Sequence, residues 1–282
     1  MCSMDLKYTE LHDDQFGITM RAKNVLYRGK SEFQEIDVID TEFFGKVLLL
    51  DGLVMTTEKD EVFYHEMIVH IPMLSHPEPK DVLVIGGGDG GTIREVLRHP
   101  SVKRAVLCEI DGEVIEVCKK YMPQLAGKLD DPKVDIQVRD GIEYIANSKN
   151  EFDIILIDST DPMGPGEGLF TEEFYKNVNA SLKEGGIMVC QSESPFADQK
   201  EIKMMQPLLK KAFPIVKTYV GPMPTYPGGY WSWTFCSNTV KPLEFIDEIR
   251  ADEIAKDSKI YNKEVHKAAF ALPNFVKELV GE

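Results

Sequence analysis

Asp81 to Gly91 read DVLVIGGGDGG, an apolar run from Val82 to Ile85 that passes directly into glycines. Gly86, Gly88 and Gly91 satisfy GxGxxG at a strand-to-helix turn, with the following helix expected from Thr92. Glycine permits the tight turn and lets backbone approach a ligand closely. Such turns also occur for structural reasons alone, and two neighbouring features favour a ligand. Glu109 lies 21 residues beyond Gly88, at the end of a second apolar run, Ala105 to Cys108, where a carboxylate can accept both hydroxyls of a ribose. Asp89 stands inside the loop, where it would repel a phosphate, and no GK[ST] follows. The turn suits a nucleoside-like, positively charged ligand such as a sulfonium compound better than a pyrophosphate.

Outward from this turn, strand and helix patterns alternate. Val82 to Ile85 precedes a helix at Thr92 to Arg98; Ala105 to Glu109 precedes Glu113 to Tyr121; Val134 to Val138 precedes Ile142 to Asn147; Ile154 to Ile157 precedes Glu172 to Leu182; and Ile187 to Cys190 precedes Gln199 to Phe213. That alternation indicates an α/β fold with a parallel sheet covered on both faces. Val216 to Val220 and Tyr230 to Cys236, joined by GPMPTYPGG, should close it as an antiparallel hairpin. The order resembles the Rossmann-like, seven-stranded fold of methyltransferases. Upstream, an amphipathic helix is expected from Asp60, with Phe63, Met67, Ile71 and Leu74 on one face until SHPEP breaks it. Residues 1–57 read as a small antiparallel β domain: Gly17 to Ala22, Asn24 to Gly29, Phe33 to Asp40, then Lys46 to Leu50 and Leu53 to Thr57 around Asp51-Gly52, a type I′ hairpin signal. The expected division is therefore a hairpin domain at 1–57, serving oligomerisation and part of the cleft, and a catalytic domain at 58–282. Helical segments near Leu243 to Arg250, Lys263 to Ala271 and Phe275 to Val280 are read as packing.

Composition excludes several classes. A net charge of −15 without a local basic patch argues against nucleic acid and would draw cationic small molecules. The five cysteines are odd in number and lack CxxC spacing, so a reducing compartment is expected rather than a disulfide framework or zinc site. The histidines show no HExxH or paired-ligand spacing, so no metal is expected. The polar amino terminus and the absence of any apolar run near the roughly 18 residues of a span point to a cytoplasmic protein and no membrane partner.

In a doubly wound sheet, ligands bind beyond the carboxyl ends of the strands. Those ends here carry Asp89, Glu109, Asp140 with Gly141, Asp158 and Asp161, with Glu193 a further candidate. One such acid is commonly a helix cap; this many on one rim suggests a site, although Asp140-Gly141 can cap a helix and face an adenine at once. DSTDPMGP, Asp158 to Pro165, follows the apolar IILI and continues into a glycine- and proline-rich loop suited to a hinged cover. If the site holds a sulfonium and an amine, the amine must attack with a free lone pair. An alkylamine of pKa about 10.4 resists that by about 4 to 5 kcal/mol at neutral pH. Asp158 is read as the base and Asp161 as the group that positions the amine, with the reverse assignment open. Burial or a neighbouring carboxylate would raise the base's pKa toward usefulness, yet the same charges hold the ammonium's proton more tightly. The order of proton loss and attack stays open.

GGGDGG (Gly86 to Gly91), DSTDPMGP, YHEM (Tyr64 to Met67) and PTYPGG (Pro224 to Gly229) resemble the spermidine synthases, and the likeness extends to FQEI at Gln34, LLLDG (Leu48 to Gly52) and HKAAFALP near the end. The resemblance implies aminopropyl transfer from decarboxylated S-adenosylmethionine, a co-substrate rather than a bound cofactor, to putrescine, giving spermidine and 5′-methylthioadenosine. By the same resemblance Gln34, Glu109, Asp140, Gly141 and Pro165 hold the nucleoside. Asp89 takes the aminopropyl ammonium, and repels the carboxylate of ordinary S-adenosylmethionine. Tyr64, His65, Asp161 and Tyr226 line the diamine groove, Asp158 is the base, and Gln191 and Glu193 are further candidates for the far amine. His65 stands where many members have Gln, and a histidine can carry a proton. The resemblance also implies a homodimer or homotetramer. Other readings are an aminopropyltransferase for agmatine, cadaverine or spermidine, an S-adenosylmethionine-dependent amine methyltransferase, and a silent nucleoside-binding subunit.

Overall fold

The computed structural model describes residues 6–12, 14–160 and 164–282. Five antiparallel strands come first, in sequential order: β1 (Lys7–His12), β2 (Phe16–Lys30), β3 (Glu35–Thr41), β4 (Lys46–Leu50) and β5 (Leu53–Thr57). The turn between β4 and β5 has Asp51 and Gly52 both at positive φ, 49° and 78°, and Leu50 pairs with Leu53, as the Asp-Gly signal predicts. Two details differ from the sequence reading. Gly17 to Ala22 and Asn24 to Gly29 form one long strand, β2, with two register shifts where it bends along β3. The strand β1 has no counterpart in that reading: its KYTELH alternates exposed and half-buried residues and has little apolar signal. It is held by pairing with β2 and by contacts to the tip of the sheet, where the Tyr8 hydroxyl donates to the Gly52 carbonyl and Val54 N–H donates to Glu10 Oε2 at 2.6 Å.

The second sheet has seven strands in the order β11-β12-β10-β9-β6-β7-β8. Its strands are β6 (Asp81–Gly86), β7 (Arg104–Glu109), β8 (Val134–Val138), β9 (Phe152–Asp158), β10 (Leu182–Gln191), β11 (Ile215–Pro222) and β12 (Tyr230–Ser237). The run from β10 to β8 is parallel; β12 pairs antiparallel with both β10 and β11. The interleaving helices are α1 (Glu61–Ser75), α2 (Gly91–Val96), α3 (Gly112–Tyr121), α4 (Pro123–Ala126), α5 (Gly141–Ala146), α6 (Glu172–Ser181) and α7 (Gln199–Ala212), and the tail adds α8 (Glu248–Lys256), α9 (Lys263–Ala269) and α10 (Asn274–Val280). The tail helix expected at Leu243 to Arg250 starts later, because Asp247 caps it by accepting the Arg250 N–H at 3.0 Å. Among the described residues no helix is long and apolar enough to cross a membrane.

The helix α1 is not amphipathic. Every residue from Tyr64 to Ser75 is buried, and α1 shares one apolar cluster with Ile36, Val38, Leu48 and Leu50 of the first sheet and with Val82 and Val84 of the second. Polar residues on a helix enclosed on all sides need internal partners. Glu66 finds them in the tail, accepting backbone N–H bonds from Lys259, Ile260 and Tyr261 at 2.9, 2.8 and 2.7 Å. His70 meets His99 and Glu95, each at 3.0 Å. The tail thus satisfies a buried carboxylate as well as packing. Glu66→Gln, which turns one acceptor oxygen into a donor facing those N–H groups, should lower unfolding stability by about 2 to 4 kcal/mol in denaturant titration; a change below about 0.5 kcal/mol would mean the tail does not depend on this carboxylate.

Candidate active site

The parallel strand order reverses at β6, which lies between β9 and β7. The chain leaving β6 runs to β7 and the chain leaving β9 runs the other way, to β10, so these adjacent strands open a crevice at their carboxyl ends. Register decides what meets there: Gly86, the last residue of β6, pairs with Asp158, the last of β9. Gly86 has φ of 80°, and a Cβ on it would overlap the Asp158 carbonyl, so glycine is required on both counts. The crevice is a cleft enclosing about 1440 Å³, its open mouth included, roofed by residues of the first sheet.

One wall suits a nucleoside. Glu109 ends β7 beside Gly88 and is almost fully buried; burial pushes its carboxyl up to about 7 even though Asp111 N–H donates to Oε1 at 2.9 Å. Gln34 reaches across from the first sheet, and its Nε2 donates to Asp111 Oδ2 at 2.9 Å. Asp140 caps α5, accepting the Ile142 N–H at 2.7 Å, and with Gly141 lines the cleft. Pro165 falls in the 3-10 turn Gly164–Phe170, but its side chain lies outside the described residues, as does Asp161.

The other end is acidic. His65, Asp89 and Asp158 bring one polar atom each to within 4.8 Å of one another. Asp158 Oδ2 accepts from Thr92 Oγ1 at 2.6 Å. Burial raises the Asp158 carboxyl above the usual range, and the neighbouring charge of Asp89 adds to the rise. Asp89 moves the other way: burial opposes its charge, but His65 and the Gly91 N–H, which donates to Oδ1 at 2.7 Å, hold it low. Among the described residues, the neighbouring carboxylate that raises Asp158 is Asp89. Burial also works against a charge on His65, yet Asp89 and Glu61 carry its pKa up to about 10. Two carboxylates beside one imidazole offer this end of the cleft to a cationic nitrogen.

Tyr64 and Tyr226 stand at the same end, with ring centroids 6.0 Å apart. Spacing alone makes them a helix-surface and a turn residue; instead Tyr64 is 5% exposed and both line the cleft. Tyr226 is fixed through the loop around it: Asp60 at the start of α1 accepts from Thr225 N and Oγ1 at 3.0 and 2.8 Å, and the Tyr226 hydroxyl donates to the Met55 carbonyl at 2.5 Å. Gln191 lines the cleft; Glu193 is buried behind it, accepting from Gln191 Nε2 at 2.8 Å. Sequence reading missed Thr92, Trp231 and the β1 residues Glu10 and His12, which also face the cleft or its carboxylates. Thr92 carried a signal, since a hydroxyl just inside the helix faces the neighbouring strand end; β1 carried none.

Residues 61–247 match the spermine/spermidine synthase domain family and residues 7–58 match the spermidine synthase tetramerisation domain family. The chain is 50% identical to a polyamine aminopropyltransferase of Bacillus subtilis (strain 168), covering 98% of this chain and 99% of that one, and 49% identical to one of Thermoanaerobacter sp. (strain X514), covering 99% and 100%. Among solved structures it resembles a spermidine synthase in complex with the transition-state analogue AdoDATO, with TM-score 0.97 and 48% identity over 99% of this chain and 96% of that one. Spermidine synthase from Thermotoga maritima gives 0.94 and 48% over 98% and 94%. A Cβ on Gly91 would overlap the His65 ring. Gly91→Ala should therefore displace that ring and cost about 1 to 3 kcal/mol of stability; an unaltered melting curve with unaltered histidine NMR signals would show that the packing is loose.

Proposed function

The chain belongs to the spermine/spermidine synthase family of polyamine aminopropyltransferases, and from that premise we propose that it transfers the aminopropyl group of decarboxylated S-adenosylmethionine to putrescine, giving spermidine and 5′-methylthioadenosine. The observation that carries the proposal is the meeting, in one cleft, of a buried ribose-type acceptor, Glu109, with the paired carboxylates Asp89 and Asp158. A donor that is a nucleoside at one end and a dication at the other matches both ends.

In this reading Gln34, Glu109, Asp140, Gly141 and Pro165 hold the nucleoside, and Asp89 takes the donor's ammonium. Tyr64, His65, Asp161 and Tyr226 flank the diamine; tyrosine rings suit methylenes and their hydroxyls suit nitrogen. The acceptor nitrogen forms a bond to the methylene carbon as the carbon–sulfur bond breaks, sulfur keeps the electron pair as a neutral thioether, and the nitrogen's surplus proton passes to Asp158. Thr92 holds Oδ2 of that base, and the raised pKa of Asp158 makes it a better proton acceptor near neutral pH. The division at 57/58 belongs to the same reading, as does a homo-oligomer built on the first sheet, where Leu11, Phe16 and Val25 are exposed. That sheet matches a family described by tetramerisation, which supports it.

Methylthioadenosine release, measured with putrescine, cadaverine, agmatine, spermidine or no amine, should depend on putrescine. Release with only a longer amine would change the acceptor, and release with none would sink the proposal. Asp158→Asn should keep nucleoside binding and lose at least about 100-fold in turnover; an unchanged rate would remove Asp158 from the mechanism. Glu109 accepts ribose hydroxyls as the carboxylate, and its pKa is raised to about 7. The acceptor form is therefore lost as pH falls through that value. Methylthioadenosine affinity in calorimetry should weaken by up to about tenfold per pH unit below about pH 7, with the dependence flattened in Glu109→Gln. A flat wild-type profile would contradict this.

A further inference from the structure

A cleft that admits amines contains a cation of its own. His65 Nδ1 lies 2.6 Å from Glu61 Oε2, and Nε2 lies 3.5 Å from Asp89 Oδ1. An imidazole with a carboxylate on each nitrogen satisfies both only when both nitrogens carry hydrogen. The ring is also fixed in place. Arg94 grips Glu61 with both terminal nitrogens, NH1 to Oε1 at 2.9 Å and NH2 to Oε2 at 2.8 Å, and its Nε donates to Glu95 Oε1 at 2.8 Å. A bidentate fork sets the plane of the carboxylate it holds, while Gly91, lacking a side chain, lets α2 close on the ring. Glu61 and Arg94 are themselves absent from the lining of the cleft.

Such a cation looks misplaced, since it repels the ammonium form of the acceptor. It makes sense if the attacking nitrogen has to be neutral. Asp89 and Asp158 alone would present two negative charges and bind the protonated, unreactive amine best. The groups facing His65 are Glu61 and Tyr64 on α1, Asp89 on the turn after β6, Asp158 at the end of β9 and, behind Glu61, Arg94 on α2. With Glu61 neutralised by Arg94, the charge of His65 is left to offset one of the two cleft carboxylates.

We propose that Glu61 and Arg94 are positioning residues of the reaction, holding His65 as a fixed imidazolium against Asp89 so that the cleft receives the acceptor's attacking nitrogen unprotonated. The inference rests on the proposed amine transfer, and its first test does not use turnover. In free enzyme with labelled histidine, the His65 signals, assigned by their loss in His65→Gln, should keep imidazolium nitrogen shifts between about pH 6 and 9. In Glu61→Gln the ring should titrate inside that range. The acceptor kcat/KM should fall roughly tenfold near neutral pH in the same variant, its acid limb moving to higher pH, and recover at alkaline pH where the amine is already neutral. A wild-type ring that is neutral or titrates near its ordinary value overturns the proposal, and so does a Glu61→Gln profile superimposable on the wild type. If Glu61→Gln fails to fold, the wild-type titration decides alone. Failure of every amine to react would instead count against the proposed reaction and leave the titration standing.

Discussion

The pairing of Gly86 with Asp158 at the ends of β6 and β9 is the contact from which the cleft is built. It places the glycine turn and the start of the DSTDPMGP segment side by side. Both strands are buried on both faces, with Val82 and Val84 in one core cluster and Leu83 and Ile85 in the other. The position of the Asp158 carboxylate is thus determined by packing far from any ligand. Asp89 follows from the same anchor, since it lies three residues beyond Gly86 on a turn that runs into α2.

Electrostatics follow from that placement. Two carboxylates brought close in a sheltered crevice divide their burden unequally: one is steadied by the imidazole and a backbone N–H, and the other is pushed toward its acid form. Groups whose environments push their pKa values apart suit different roles. Here the steadied charge suits an ammonium and the unsettled one suits proton transfer. The whole-chain charge of −15 draws cations toward the surface.

Much of this could be read from the residues alone. The seven-stranded sheet, the Asp-Gly hairpin and the rim of carboxylates all have local signatures: apolar runs of strand length, a turn dipeptide, acids just after strands. What failed was information carried by long-range contact. KYTELH looks like nothing until β2 and Gly52 receive it. The helix α1 reads as amphipathic because Phe63, Met67, Ile71 and Leu74 repeat at helical spacing, while the polar residues beside them, Glu66 and His70, are buried against partners remote in sequence. The charge on His65 was foreseeable as a possibility of the residue type, but Glu61 lies one turn away on the same helix, and only the fold shows Arg94 and Asp89 closing around both.

The clamp on Glu66 also bears on how the molecule is made. Glu66 neighbours His65 on α1, and its third backbone partner, Tyr261, is 195 positions further along the chain. A growing chain emerges amino end first, so the helix bearing Tyr64 and His65 is synthesised long before the N–H groups that satisfy its buried carboxylate. Until they arrive, docking α1 would bury the Glu66 side chain without those partners, which favours a loosely docked helix. The packing around Tyr64 and His65 is thereby tied to residues 259–261, and a nascent chain that already contains the glycine turn, Asp89 and Asp158 but not that segment lacks the clamp on Glu66.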